Sequence, residues 1–103
     1  MTDFLVEMAI KVPADISAHE LELKRRAEAL YVKQCAAEGS VVRLWRPKGR
    51  GDALKNIGIW SAPSRHALNT VLGNLPMFEW ISLTVRELEP HPNDPQDGTT
   101  DDR

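Results

Sequence analysis

The chain has 103 residues, roughly two-fifths of them hydrophobic, with 13 Lys and Arg against 15 Asp and Glu and a formal net charge of −2. That length fits one domain, and a balance so near neutral, with no segment dominated by Lys and Arg, argues against nucleic acid as a partner. Cys35 is the only cysteine, which excludes an internal disulfide or a thiolate metal cluster within one chain and fits a reducing cytoplasm.

In chain order, Phe4, Val6, Met8, Ile10 and Val12 alternate with Leu5, Glu7, Ala9 and Lys11, the period of a strand that ends at Pro13. Asp3 and Glu7 lie within this first apolar stretch, no basic leader precedes it, and no run of about 18 apolar residues occurs anywhere, so neither export nor a membrane span is expected. Ser17 and Glu20 form a capping box for a helix running to about Ala37, free of Gly and Pro, with Gly39 placed to end it. Its apolar positions are Leu21, Leu23, Ala27, Leu30, Tyr31, Val32 and Cys35. Ser40–Arg46 reads as a second strand and Ile57–Trp60 as a third, joined by a turn-rich, mobile hairpin tip at 47–52. Ser64 caps a second helix over about Arg65–Gly73, with Ala67, Leu68, Val71 and Leu72 apolar, and residues 79–88 supply a fourth strand.

The order β-α-β-β-α-β is the ferredoxin-like, split βαβ arrangement: an α+β fold with a four-stranded antiparallel sheet and both helices on one face. A chain of this size buries only about 60–70% of its unfolded surface, so self-association would add core. Leu5 and Ala9, beside Glu7 and Lys11 on the second face of the first strand, call for such a cover. Residues 1–92 form the expected domain. The polar tail 93–103 has little to bury and is expected to be flexible or draped over a neighbour.

Among groups able to move a proton, Glu28 stands out. It lies in line with Leu21, Lys24, Val32 and Cys35, at the border of the apolar stripe, where desolvation raises a carboxyl pKa; the alternative is a solvated Glu paired with Lys24. Glu7 is a second acid, or the partner of Lys11 or Arg86. Strand alternation puts Arg43 and Arg46 on opposite faces, so they cannot both line one pocket of a single subunit; Arg46 is either a ligand for an anion or a structural salt bridge. Tyr31, Trp45, Trp60, Phe78 and Trp80 form either pocket walls or ordinary core. Asn56 either donates to a ligand or anchors the hairpin. His91 is a candidate general acid; His19 and His66 have no partners at ligand spacing, so no metal site is expected. Cys35 reads as a small buried hydrophobe, and Gly49-Arg50-Gly51 as a hairpin tip instead of a phosphate cradle.

The blocks Glu38-Gly39, Arg43-Leu44-Trp45-Arg46, Asn56, Leu75-Pro76-Met77-Phe78 and His91-Pro92, in that order, resemble the muconolactone isomerase family from Phe4 to Pro92. The resemblance implies an enzyme that moves a double bond within a small unsaturated lactone, with neither metal nor organic cofactor. In that family the step converts muconolactone to 3-oxoadipate enol-lactone in bacterial breakdown of aromatic compounds. It further implies sheet-to-sheet dimers of the dimeric α+β barrel type, built into a larger ring whose neighbouring chains help close each cleft. Carried over residue by residue, Glu28 is the proton shuttle, Arg46 holds a substrate carboxylate or carbonyl with Arg43 and Trp45 in the same block, Asn56 donates to a lactone oxygen, and His91 is a possible acid reaching a neighbour. Val41-Val42 and Trp60-Ser61 depart from the aromatic-basic run and the Phe-Asp pair familiar in the family. Rival readings are a dehalogenase of chlorinated lactones, an isomerase of another cyclic substrate, and a non-catalytic small-ligand module on the same scaffold.

Overall fold

The computed structural model describes residues 1–49 and 54–96; the expectations for the centre of the hairpin tip, 50–53, and for the tail from 97 onward lie outside the described residues. β1 (Thr2–Ile10) buries Phe4, Val6 and Met8 and exposes Glu7, as its alternation requires. α1 (Ala18–Ala37) starts at Ser17, whose side chain accepts the Glu20 N–H at 3.0 Å. The capping box is incomplete: the Ser17 hydroxyl turns to the Glu20 carboxylate at 3.4 Å, and that carboxylate does not return to the Ser17 backbone. The far end closes with Gly39 at φ 89°, Gly39 N–H donating to Ala36 O and Ser40 N–H to Cys35 O, the two bonds of a Schellman turn.

β2 (Val41–Trp45) and β3 (Lys55–Ala62) form the hairpin, with a register shift between Val41 and Arg43. α2 (Arg65–Gly73) is capped by Ser64, which accepts the Ala67 N–H at 3.1 Å. A 3₁₀ turn at Phe78–Trp80 leads into β4 (Ile81–Leu88). The sheet is antiparallel in the order β2-β3-β1-β4. Phe4 faces Trp60, Val6 faces Gly58, and Met8 faces Asn56 across β1 and β3. The core fills the layer between that face and both helices, with Cys35, Leu68, Leu72 and Leu75 against Phe4, Val6, Met8 and Trp60. No helix among the described residues is long and apolar enough to cross a membrane.

Two expectations are corrected. Leu23, Ala27 and Leu30 do not belong to the inward stripe of α1: Leu23 and Leu30 are 53% and 70% exposed, Ala27 is exposed as well, and the residues turned toward the sheet are Leu21, Lys24, Glu28, Tyr31, Val32 and Cys35. Spacing of three and four from Leu21 selects that set and leaves Leu23 about 200° around the helix. The dimeric α+β barrel is also not found. The sheet is open, with β2 and β4 at its two edges, each paired on one side only. Closure requires the first and last strands of one sheet to meet, and four strands are too few to curl around a filled interior.

Candidate active site

β1 and β2 end, and β3 and β4 begin, at one end of the sheet. α1 starts above that end, and the segment Leu75–Met77 crosses beside it. Leu75 and Met77 are buried, and their turn is fixed by Leu75 N–H to Leu72 O at 3.1 Å and Phe78 N–H to Leu75 O at 2.9 Å. This points the Met77 N–H at α1, where the half-buried Glu28 accepts it through Oε1 at 2.9 Å. Oε2 makes no hydrogen bond to the described residues. Burial pushes the Glu28 carboxyl above its ordinary value, and the Met77 N–H and the Lys24 charge only partly offset that rise.

Lys24, one turn earlier, does not pair with Glu28. Its Nζ donates to Pro76 O at 3.0 Å and to Glu79 Oε1 at 2.9 Å, and lies 5.3 Å from the centre of the Trp80 ring. The ammonium thus ties α1 to the start of β4 while lending positive potential to the carboxyl. Sequence reasoning saw Lys24 only as a partner for Glu28. Its real partners are 52 and 55 residues away, and nothing local signals them. Beside this pair, Glu20, Leu23, Lys24, Ala27 and Pro76 line an open cleft of about 380 Å³.

Arg46 and Asn56 stand at the same end. Arg46 lies just past β2, exposed, on a hollow of about 550 Å³ with Pro47, Lys48 and Gly49, and has no ion pair among the described residues. Asn56, opposite Met8, faces the helices, and its Oδ1 is buried without a hydrogen-bond partner. The Trp60 Nε1, four residues along the same face, is likewise buried and unpaired.

The other candidates lie elsewhere. Arg43 and Trp45 pair with Ile59 and Ile57 on the uncovered face, where the guanidinium sits 4.7 Å from the Trp45 ring centre. Glu7 is on that face too, in a shallow hollow with Ala9, Lys55, Ser82 and Thr84, and forms no ion pair with Lys11 or Arg86. His91 follows β4 at the opposite end of the sheet, exposed, its Nδ1 accepting the Asn93 N–H at 3.0 Å. Tyr31 is committed to structure: its hydroxyl donates to Val71 O at 2.7 Å, and burial with the neighbouring Cys35 pushes its pKa up to about 12. Burial also raises the Cys35 thiol, the opposite of what a nucleophile needs. Among the described residues no three His, Cys, Asp or Glu side chains converge as a metal site.

A family model described as muconolactone delta-isomerase matches residues 2–94. The muconolactone delta-isomerase of Pseudomonas aeruginosa is 30% identical over 90 residues, covering 87% of this chain and 91% of its own. Muconolactone delta-isomerase 2 of Acinetobacter lwoffii is 32% identical over 88 residues, 85% and 88% of the two chains. A crystal structure of muconolactone isomerase superposes with a TM-score of 0.83 at 27% identity, over 92% of this chain and 96% of that one. An antibiotic biosynthesis monooxygenase, at TM-score 0.54 and 14% identity over 89% and 100% of the chains, shares the fold alone.

Proposed function

The chain belongs to the muconolactone delta-isomerase family, and from that premise we propose that Glu28 is the group that moves the proton. The protein is an isomerase of that type, acting on a small unsaturated lactone in aromatic catabolism. Muconolactone, converted to 3-oxoadipate enol-lactone, is the substrate this reading assigns. The observation that carries it is the hydrogen bond from Met77 N–H to Oε1 of a half-buried Glu28, which fixes the carboxylate and leaves Oε2 to take a proton.

The chemistry balances on one carboxyl. Oε2 removes the proton from the ring carbon next to the ring oxygen, and that C–H pair enters the conjugated system. The double bond shifts, and negative charge collects on the carbonyl oxygen. The same carboxyl then returns its proton to the carbon beside the carbonyl, so the product is an isomer and Glu28 is restored. A carboxyl raised by burial suits both halves of the cycle, because neither its acid nor its base form is too weak at working pH. Arg46 is assigned to the substrate carboxylate, since its guanidinium is unpaired among the described residues at the end of the sheet above which α1 begins. Asn56 is assigned to a lactone oxygen. Within one chain, Arg43, Trp45 and His91 have no route to Glu28 and are left out of this step.

Self-association is part of the reading. Leu5, Ile57, Ile59 and Trp45 lie on the sheet face that no helix covers, and a domain this small gains core by burying them. A cytoplasmic setting fits the single, buried Cys35 thiol. The test is a spectrophotometric assay of the purified protein with muconolactone. Conversion to the enol-lactone is the expected result; a folded protein that leaves muconolactone untouched would overturn the substrate assignment.

A further inference from the structure

Trp60 is 1% exposed, yet its indole N–H has no acceptor. A phenylalanine, though smaller, would strand no donor, so the unpaired N–H is a cost in the protein alone. Leu44 packs over that N–H across Gly58. A Cβ on Gly58 would come within 3.0 Å of Trp60 Nε1 and 2.5 Å of Leu44 Cδ2; the lack of a side chain at Gly58 lets the indole edge reach along the strand toward Asn56. Asn56 Oδ1, on the same face of β3, is the other buried side-chain N or O atom without a partner among the described residues. Turning its carboxamide over would present a second N–H to the same row. Above Gly58 stands Leu44, on the edge strand and 41% exposed, a side chain that can rotate outward.

We propose that Trp60 donates its indole N–H to the lactone carbonyl oxygen, with Asn56 as the second donor, the oxygen taking the place over Gly58 that the Leu44 side chain fills in the free protein. This rests on the isomerase reading above and deepens it. As Glu28 takes the proton, the C–H electron pair moves into the ring and the carbonyl oxygen gains charge. When the proton returns, the pair leaves the oxygen again. Trp60 keeps its own proton throughout, and its contribution grows with the charge it faces, as for any donor aimed at a developing oxyanion. Leu44 acts as the cover that substrate displaces.

The test combines Trp60→Phe with an observation on the parent. In the variant, kcat falls by about a hundredfold while KM changes little, the pattern of a donor used mainly in the transition state, and the loss of the unpaired donor offsets part of the stability cost of the void left by the smaller ring. A kcat within twofold of the parent would overturn the proposal. Independently of turnover, the chain's 3 tryptophans give indole N–H signals in a nitrogen–proton correlation spectrum, and the one missing from Trp60→Phe identifies Trp60. Adding a saturated, unreactive lactone shifts that signal toward a hydrogen-bonded position; an unmoved signal at saturating lactone refutes the contact. If the parent leaves muconolactone unchanged, the substrate assignment falls and the indole signal alone decides this site.

Discussion

α2 turns Ala67, Leu68, Val71 and Leu72 toward the sheet, with Leu68 and Leu72 at 0% and 2% exposure. α1, packed on the same face, turns Lys24, Glu28 and Tyr31 inward together with Leu21, Val32 and Cys35. Burying an ion is costly unless it is paired and hydrogen-bonded, and α1 meets that requirement with partners from the Pro76–Trp80 segment. One helix therefore supplies core, and the other spends part of its inward face on charge. The contrast separates what holds the sheet layer together from what gives it chemistry.

The sharpest way to break that separation is Glu28→Gln. Removing the proton carrier lowers kcat by about 10²–10⁴-fold, while the amide oxygen still accepts the Met77 N–H, so the melting temperature stays close to the parent's; steady-state kinetics beside a thermal melt checks both. The counterpart on the other helix is Leu68→Ala, which leaves a cavity and costs about 2–5 kcal/mol in chemical denaturation, with kcat unchanged in the fraction that remains folded. Arg46→Met tests the rim of the site: KM for a carboxylate-bearing lactone rises about tenfold with kcat nearly constant, and a fall in kcat instead would place Arg46 in the chemical step. Ser64→Ala, which removes the cap of α2, costs about 1 kcal/mol of stability and leaves kinetics alone.

The smallest effect is one of pH. Burial raises the Glu28 pKa in the folded chain above its ordinary 4.5, so ionisation is harder folded than unfolded. The parent, compared with Glu28→Gln, keeps its full relative stability below the ordinary carboxylate pKa and loses part of it as pH rises through the folded value. Paired denaturant titrations across the acid range measure this drift; a drift of opposite sign would mean that the Met77 N–H and Lys24 outweigh burial.

Much of the scaffold was legible in the residues, because its signals are local. Pro13, Ser17, Gly39 and Ser64 punctuate the chain where β1 is over, α1 starts, α1 ends and α2 starts, and alternation assigned Phe4, Val6 and Met8 to the core. Glu28 was recognisable as an acid on the border of an apolar stripe. Its hydrogen bond was not, since Met77 lies 49 residues away. Lys24 escaped for the same reason. Leu23, Ala27 and Leu30 have the hydrophobicity of core residues without the angular position that would turn them inward. Trp45 shares a sequence block with Arg46, whereas the register turns it onto the uncovered face with Arg43. The barrel came from resemblance, and the sheet itself has two unjoined edges.

The central claim is that the inward face of α1 holds Glu28 at a raised pKa so that it can both take and return a proton. A carbon-detected titration of the Glu28 carboxyl in the free protein, set against the acid limb of kcat/KM for muconolactone, tests it directly, because that limb reports groups of the free enzyme. The account predicts that both midpoints coincide above the ordinary carboxylate value of 4.5. A Glu28 carboxyl titrating at or below that value, or a kinetic limb at a different pH, would contradict it.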